Sequence, residues 1–245
     1  MTIIVSTHAW RYAAPVLVAL ALVACGGGGS DTPVETTAAS TSFPLAAALA
    51  SYAKDTRTAP FTVSGTGAAS GPAVAISGGG NISSSISAGT FEGVAAQVKT
   101  LTTTATLTAQ GTSTPIATTS VVFYDANYLA LGTSSASSYC VSSGSGGLPA
   151  SAKIGDTGVW YSSTCYSNSS KSVRTLTATS SYSIEPLTAT TALLRVTQKS
   201  TPLTGVASSL DLTYTISTAG ALSPRETPFT IAFAGITFSL VFKFS

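Results

Sequence analysis

From residue 210 to 216, and again from 236 to 244, apolar side chains recur at alternate positions. Leu210, Leu212, Tyr214 and Ile216 are interleaved with Asp211, Thr213 and Thr215. Ile236, Phe238, Leu240, Phe242 and Phe244 are interleaved with Thr237, Ser239, Val241 and Lys243. A period of two sends successive side chains to opposite faces of an extended chain, so each segment has one face to bury and one to wet. Phe229, Ile231 and Phe233 make a further strand ended by Gly235, and Ser217-Thr218-Ala219-Gly220 and Ser223-Pro224 read as turns.

Upstream, residues 172–184 and 190–199 are rich in Thr, Val and Leu and are separated by Glu185-Pro186. Weaker strand candidates cover residues 61–63, 74–76, 82–86, 97–109 and 116–124. Their turns fall at Ser77-Gly78-Gly79-Gly80-Asn81, Gln110-Gly111 and Asp125-Ala126-Asn127. Strands at this spacing, without helices between them, predict a mainly β fold. The expected form is an antiparallel meander making a sandwich or a strongly curved open sheet. One segment departs from the period. Leu45, Leu49 and Tyr52 share one helical face behind Pro44, which predicts a short N-terminal helix over residues 45–54, closed by Ala59-Pro60.

Hydrophobic residues make up 44% of the 245 residues and charged residues 8%, against about 25% charged in an average globular chain. Ser and Thr, about three residues in ten, supply the missing polarity. Eleven Lys and Arg against nine Asp and Glu give a net charge of +2 with no basic stripe, so no nucleic-acid partner is expected.

Motifs for chemistry fall short one by one. Gly65-Thr66-Gly67-Ala68-Ala69-Ser70 lacks the last glycine of a dinucleotide loop and reads as a turn. Ser51-Tyr52-Ala53-Lys54 has S-x-x-K spacing but none of the companion motifs, so it reads as the exposed side of the helix. Seven carboxylates follow residue 42: Asp55, Glu92, Asp125, Asp156, Glu185, Asp211 and Glu226. Asp125 and Asp156 sit in turn contexts, where a carboxylate bonds nearby backbone N–H groups. Val98-Lys99-Thr100-Leu101-Thr102 and Val173-Arg174-Thr175-Leu176-Thr177 share a pattern best explained as two strands written in one restricted alphabet. No catalytic residue, metal site or cofactor is expected.

Residues 1–24 read as an export leader, with the apolar run from Tyr12 to Ala24 too short to span a bilayer, which takes about 20 residues. At its end, Leu22-Val23-Ala24-Cys25-Gly26 resembles the lipobox of bacterial lipoproteins. The resemblance implies cleavage before Cys25 and acylation of its sulfur and new amino group with chains such as palmitate. More than one chain is what holds a protein stably on a bilayer. Gly26 in place of an aspartate implies the outer membrane. The glycines that follow suit a tether, giving a leader over 1–24, a lipidated cysteine and linker over 25–42, and a single β-rich domain over 43–245. His8, the only histidine, falls in the leader.

With Cys25 lipidated, Cys140 and Cys165 remain as an even pair in an oxidising compartment and are expected to form a disulfide across a Ser/Gly-rich loop. Free thiols and a metal site are the rival readings, the second short of ligands. Tyr139, Trp160, Tyr161 and Tyr166 gather near that bridge, either as a binding surface or as packing over the disulfide. In style the chain resembles Ser/Thr-rich envelope lipoproteins of Gram-negative bacteria, a group without assigned activity. A helix beside a curved sheet is similar in outline to the Lol lipoprotein carriers. The expectation is a non-enzymatic outer-membrane lipoprotein that binds an apolar ligand or an envelope partner; the alternative is a surface-displayed module for glycans or proteins.

Overall fold

The alternating segments near the C-terminus are strands β12 (Ser208–Ser217), β14 (Thr227–Phe233) and β15 (Ile236–Phe244), with a short β13 (Leu222–Pro224) between the first two. The computed structural model describes residues 41–68, 72–143, 147–203, 207–225, 227–233 and 236–244; the leader, Cys25 and most of the linker lie outside the described residues. The chain enters through β1 (Ser42–Phe43) and helix α1 (Leu45–Lys54). It continues through β2 (Thr58–Ala68), β3 (Val74–Phe91), β4 (Val94–Ala109), β5 (Thr112–Tyr124), β6 (Ala130–Ser135) and β7 (Ser138–Ser143). Then come β8 (Ala152–Lys153), β9 (Thr157–Tyr166), β10 (Arg174–Pro186) and β11 (Thr191–Pro202).

Neighbours pair antiparallel from β2 through β7, β7 pairs with β9, pairing continues from β9 through β12, and β14 and β15 complete the circuit. β15 returns to β2, from Thr237 opposite Ala68 to Phe244 opposite Phe61. Twelve strands thus form one curled, nearly closed sheet with α1 as the single described helix. Closure leaves few backbone groups without a ladder partner, which is how an all-β chain avoids exposed edges. The thinnest join is β12 to β14, held at Ser209–Thr230 and Leu210–Phe229, while β13 pairs with the other half of β12 from Tyr214 to Ile216.

The faces are sharply divided. Phe61, Val63, Ile82, Leu101, Leu107, Val122, Leu194, Val196, Leu212, Tyr214, Ile216, Leu240 and Phe242 point inward and share one buried cluster. Alternating with Leu101 and Leu107, the outward row of β4 is Thr100, Thr102, Thr104, Thr106 and Thr108, exposed or half-buried. Burial of the inner row stabilises at about 25 cal/mol per Å2 of apolar surface, and the hydroxyl row keeps the outside wet.

Curvature comes from glycine, and here several expected turns are corrected. Ser77–Asn81 is the middle of β3. A Cβ on Gly78 would lie 2.2 Å from the Thr106 carbonyl oxygen, and one on Gly80 would lie 1.9 Å from that of Thr104. Bare backbone at these positions lets β3 bend tightly against β4, as at a barrel corner. Gly65 and Gly67 likewise belong to β2, where a Cβ on Gly65 would meet the Ser239 carbonyl oxygen at 2.1 Å. Pro60 does not close the helix but lies within β2, one residue beyond the last β15 partner, so its missing N–H costs no ladder bond on that side. Ser223-Pro224 is part of β13 and Glu185-Pro186 the end of β10.

The turn between β3 and β4 had no strong sequence signal. Glu92 and Gly93 both take positive φ, 50° and 80°, the type I′ pattern whose twist matches the flanking strands. Gln110-Gly111 repeats it, as expected.

Helix α1 starts and stops where the sequence predicts. It buries Leu45, Ala48, Leu49, Tyr52 and Ala53, with Pro44 at the N-cap accepting from the Ala48 N–H at 2.9 Å. It lies across one mouth of the barrel. Its first turn abuts the β12–β13 turn, where a Cβ on Gly220 would lie 3.1 Å from the Pro44 ring. Its last turn reaches the β5–β6 loop, with Lys54 Nζ 4.9 Å above the Tyr128 ring. Just before it, β1 pairs with β8 through Ser42–Lys153 and Phe43–Ala152, so Ser42, expected as linker, is already in a ladder.

Candidate functional site: the recess at the C-terminal end of the helix

The parity of β4 places Lys99 in the inward row two residues before Leu101, and the side chain is only 5% exposed. It spans the gap to α1. Its Nζ donates to the carbonyl oxygens of Ala53 at 3.0 Å and Asp55 at 2.8 Å, two acceptors left over where the helix ends. An ammonium at the negative end of the helix dipole is favourably placed. Burial nevertheless lowers its pKa to about 8; the Asp55 carboxylate partly restores it and the Arg57 guanidinium opposes it.

Lys99 lines a small recess with room for about one water, together with Tyr52, Asp55, Arg57, Ile82, Ser84 and Leu101. Arg57 forms an ion pair with Asp55 at 3.1 Å and sits 5.5 Å from the centre of the Tyr52 ring. Ser84 ties this segment to β3, its hydroxyl accepting from the Arg57 N–H at 3.2 Å. The Ser84 hydroxyl donates back to the Arg57 carbonyl oxygen at 3.4 Å and the Arg57 guanidinium is held by Asp55, so the recess presents the Lys99 ammonium above an apolar floor of Ile82 and Leu101. It was not anticipated from the sequence, where Lys99 figured only in a resemblance to the segment around Arg174. Those two residues are not equivalent, since Arg174 is exposed at the start of β10.

Behind the recess, phenols cluster inside the barrel. The Tyr52 and Tyr214 rings meet edge-to-face at 5.6 Å. Tyr124 and Tyr161 are drawn into the same electrostatic group, and burial raises the pKa of Tyr124, Tyr161 and Tyr214. The Tyr124 hydroxyl is buried without a hydrogen-bond partner among the described residues.

The aromatic group expected around the disulfide divides between two faces. Trp160 is buried in the core and meets Tyr161 edge-on at 5.3 Å. Tyr139 and Tyr166 sit opposite one another on β7 and β9 and face outward. Between those two pairs runs the bridge Cys140–Cys165, and both cysteines are buried. It corrects the picture of a staple across a loop: Cys140 and Cys165 are direct partners on neighbouring strands, and the bond is a rung of the sheet.

Outside, the tip of the β3–β4 hairpin folds over this region. Phe91 stacks on Phe123 at 4.5 Å and on Tyr139 at 5.4 Å, in the hollow left by Gly132, where a Cβ would lie 2.3 Å from the Phe91 ring. The Tyr139 hydroxyl donates to Glu92 Oε1 at 2.6 Å, and Lys171 forms an ion pair with the other carboxylate oxygen. Both contacts hold the Glu92 pKa below its usual value, Lys171 the more strongly, while desolvation and then Glu92 push Tyr139 up to about 12.

Of the remaining candidates, Glu226 lies outside the described residues and the others have local roles. Asp125 Oδ1 accepts from the Asn127 and Leu129 N–H groups, and Asp156 Oδ2 from that of Lys153, each at 2.8 Å. Glu185 pairs with Arg195, and Asp211 accepts from the Thr197 hydroxyl. Ser51 and Lys54 stand on the exposed side of α1. Among the described residues no three His, Cys, Asp or Glu side chains gather as a metal site, and no helix is long and apolar enough to cross a membrane. Comparison with protein-family models, with curated proteins and with solved structures finds no match to this chain.

Proposed function

We propose that this chain is a non-enzymatic lipoprotein, tethered to the outer membrane through acylated Cys25, whose barrel binds an apolar guest at the mouth covered by α1. The observation that carries this reading is the inversion of the barrel. A barrel embedded in lipid turns apolar residues outward. This one turns Leu101, Leu107, Tyr214 and Phe242 inward and a row of threonines outward, which supports a domain standing in water with an apolar interior. The recess beside Lys99 is the place where that interior meets solvent under the end of the helix. Titration of the purified lipoprotein with an environment-sensitive apolar dye tests it. Saturable fluorescence enhancement, reversed by unlabelled alkyl compounds, is expected; a linear, non-displaceable response would refute it.

A second reading is favoured by one observation: Tyr139 and Tyr166 stand side by side on the outer face, with Phe91 stacked against Tyr139. Such a shelf suits sugar rings or a protein loop on a surface-displayed module. Binding to glycans that is lost in Tyr139→Ala, with no response to the apolar dye, would favour it over the first.

A further inference from the structure

Tyr139, Tyr166 and Arg174 lie in one row across three neighbouring strands. Tyr139 on β7 is the ladder partner of Tyr166 on β9, and Tyr166 is the partner of Arg174 on β10. Cross-strand partners project to the same face, here the outer one, and neighbouring strands lie about 4.8 Å apart. The row therefore sets two phenol rings and a guanidinium at intervals on the scale of one sugar ring. Tyr139 is fixed in place from within the fold, since Phe91 stacks against its ring at 5.4 Å and Glu92 accepts from its hydroxyl at 2.6 Å. Arg174 is the opposite case. It is exposed, and among the described residues its guanidinium has neither an ion pair nor a hydrogen bond. Its planar fork is left to meet a carboxylate from outside.

The charge of this face is one-sided. Lys171 in the β9–β10 turn, Arg174, and the exposed Lys199 opposite Thr179 stand against the carboxylate of Glu92, which Lys171 already pairs. Asp211, two strands beyond β10, accepts from the Thr197 hydroxyl. Between Tyr166 and Lys199 the face carries Thr164 and its partner Thr177, short hydroxyl side chains that keep it flat.

We infer that this strip binds an acidic polysaccharide, one sugar ring stacking on the Tyr166 phenol while its carboxylate is held by Arg174. This rests on the second reading above, that the outer shelf takes sugars, and specifies the charge those sugars carry. The C–H face of a pyranose covers an aromatic ring, and the threonine hydroxyls beside it suit sugar hydroxyls. A polysaccharide is favoured over an acidic peptide because Tyr139 and Tyr166 are each laddered on both sides, which leaves no open backbone edge there for a peptide to join as a strand.

The test is calorimetric titration of the full-length lipoprotein in phosphatidylcholine nanodiscs with β-1,4-linked tetramannuronate, neutral β-1,4-linked mannotetraose and tetraglutamate. Tetramannuronate is expected to bind about tenfold more tightly than mannotetraose, with the advantage shrinking as salt is raised. Arg174→Met brings tetramannuronate down to the level of mannotetraose and leaves mannotetraose unchanged. Tyr166→Ala weakens both sugars. Because Arg174 is exposed and unpaired, Arg174→Met is expected to leave the unfolding transition where it is. Equal binding of the two sugars, or an acidic preference that survives Arg174→Met, would overturn the inference while leaving the sugar shelf intact. Tetraglutamate binding as tightly as tetramannuronate overturns the carbohydrate assignment in favour of an acidic peptide. If neither sugar binds, the inference and the second reading fail together.

Discussion

The carbonyl oxygen of Thr104 lies 1.9 Å from the point that a Cβ on Gly80 would occupy, so these two strands can approach as they do only because residue 80 has no side chain. Gly78 stands in the same relation to Thr106 two residues earlier. The bend that curls the sheet is thus encoded by an absence of atoms. Gly80→Ala is expected to lower stability by about 3 kcal/mol, the upper part of the range for overpacked sites, read as a shift in the urea midpoint. An unchanged midpoint would show that β3 and β4 are farther apart than described.

The Cys140–Cys165 bond closes a sequence separation of 25 residues. Breaking it is expected to cost about 2–4 kcal/mol, as for native disulfides of this loop length. Thermal unfolding of the protein with and without reductant, and of the Cys140→Ser, Cys165→Ser double variant, measures this. Equal transitions in all three would contradict the bridge.

Phe91 and Glu92 sit side by side at the hairpin tip and are expected to differ widely. Phe91 is buried between Phe123 and Tyr139, and Phe91→Ala should cost about 3 kcal/mol. The partners of Glu92 are at the surface, and Glu92→Gln should cost less than about 1 kcal/mol. Chemical denaturation of both variants checks the order; a reversal would mean that the ion pair, not the stacked rings, holds the hairpin down.

Stability should pass through a maximum on the alkaline side. Lys99 has its pKa lowered from 10.5 to about 8, so above pH 8 the folded protein gives up a proton that the unfolded chain still holds, and stability rises with pH. The rise is on the order of 3 kcal/mol and ends where the unfolded lysine also deprotonates. Tyr124 and Tyr214 are shifted upward from 10.0. Their contribution is complete below pH 10 and is lost above it, when the unfolded phenols ionise. Urea midpoints from pH 7 to 11 should therefore climb and then fall, and Lys99→Met should show only the fall. A steady decline from pH 7 in the wild type would contradict the burial of Lys99.

The regular parts of this fold were written openly in the chain. Leu210 to Ile216 and Leu240 to Phe242 announce strands by alternation, and Leu45, Leu49 and Tyr52 announce the helix, because each set matches one geometric period. Residues 74–91 do not. Their Ser and Gly side chains carry almost no hydrophobic contrast, so a glycine run that serves sheet curvature looked like a turn. The turn at Glu92-Gly93 was hidden by the opposite problem, since only Gly93 is a turn-former. Lys99 could have been found: it is in phase with Leu101 and Leu107, and a lysine in an inward row is out of place unless something meets it. What meets it, the end of α1 some 44 residues earlier in the chain, is set by tertiary packing and has no local signal.

The face of the barrel that meets water decides between an inverted and a lipid-embedded sheet. Introducing Thr104→Cys on the outer row of β4 in the membrane-bound lipoprotein, and treating intact membranes with a charged, water-soluble maleimide, asks this directly. Rapid modification of the new thiol is expected, with Leu101→Cys on the inner row protected until the protein is unfolded. A Thr104→Cys thiol shielded by lipid, or an inner thiol that reacts as fast as the outer one, would contradict a water-exposed barrel with an apolar interior.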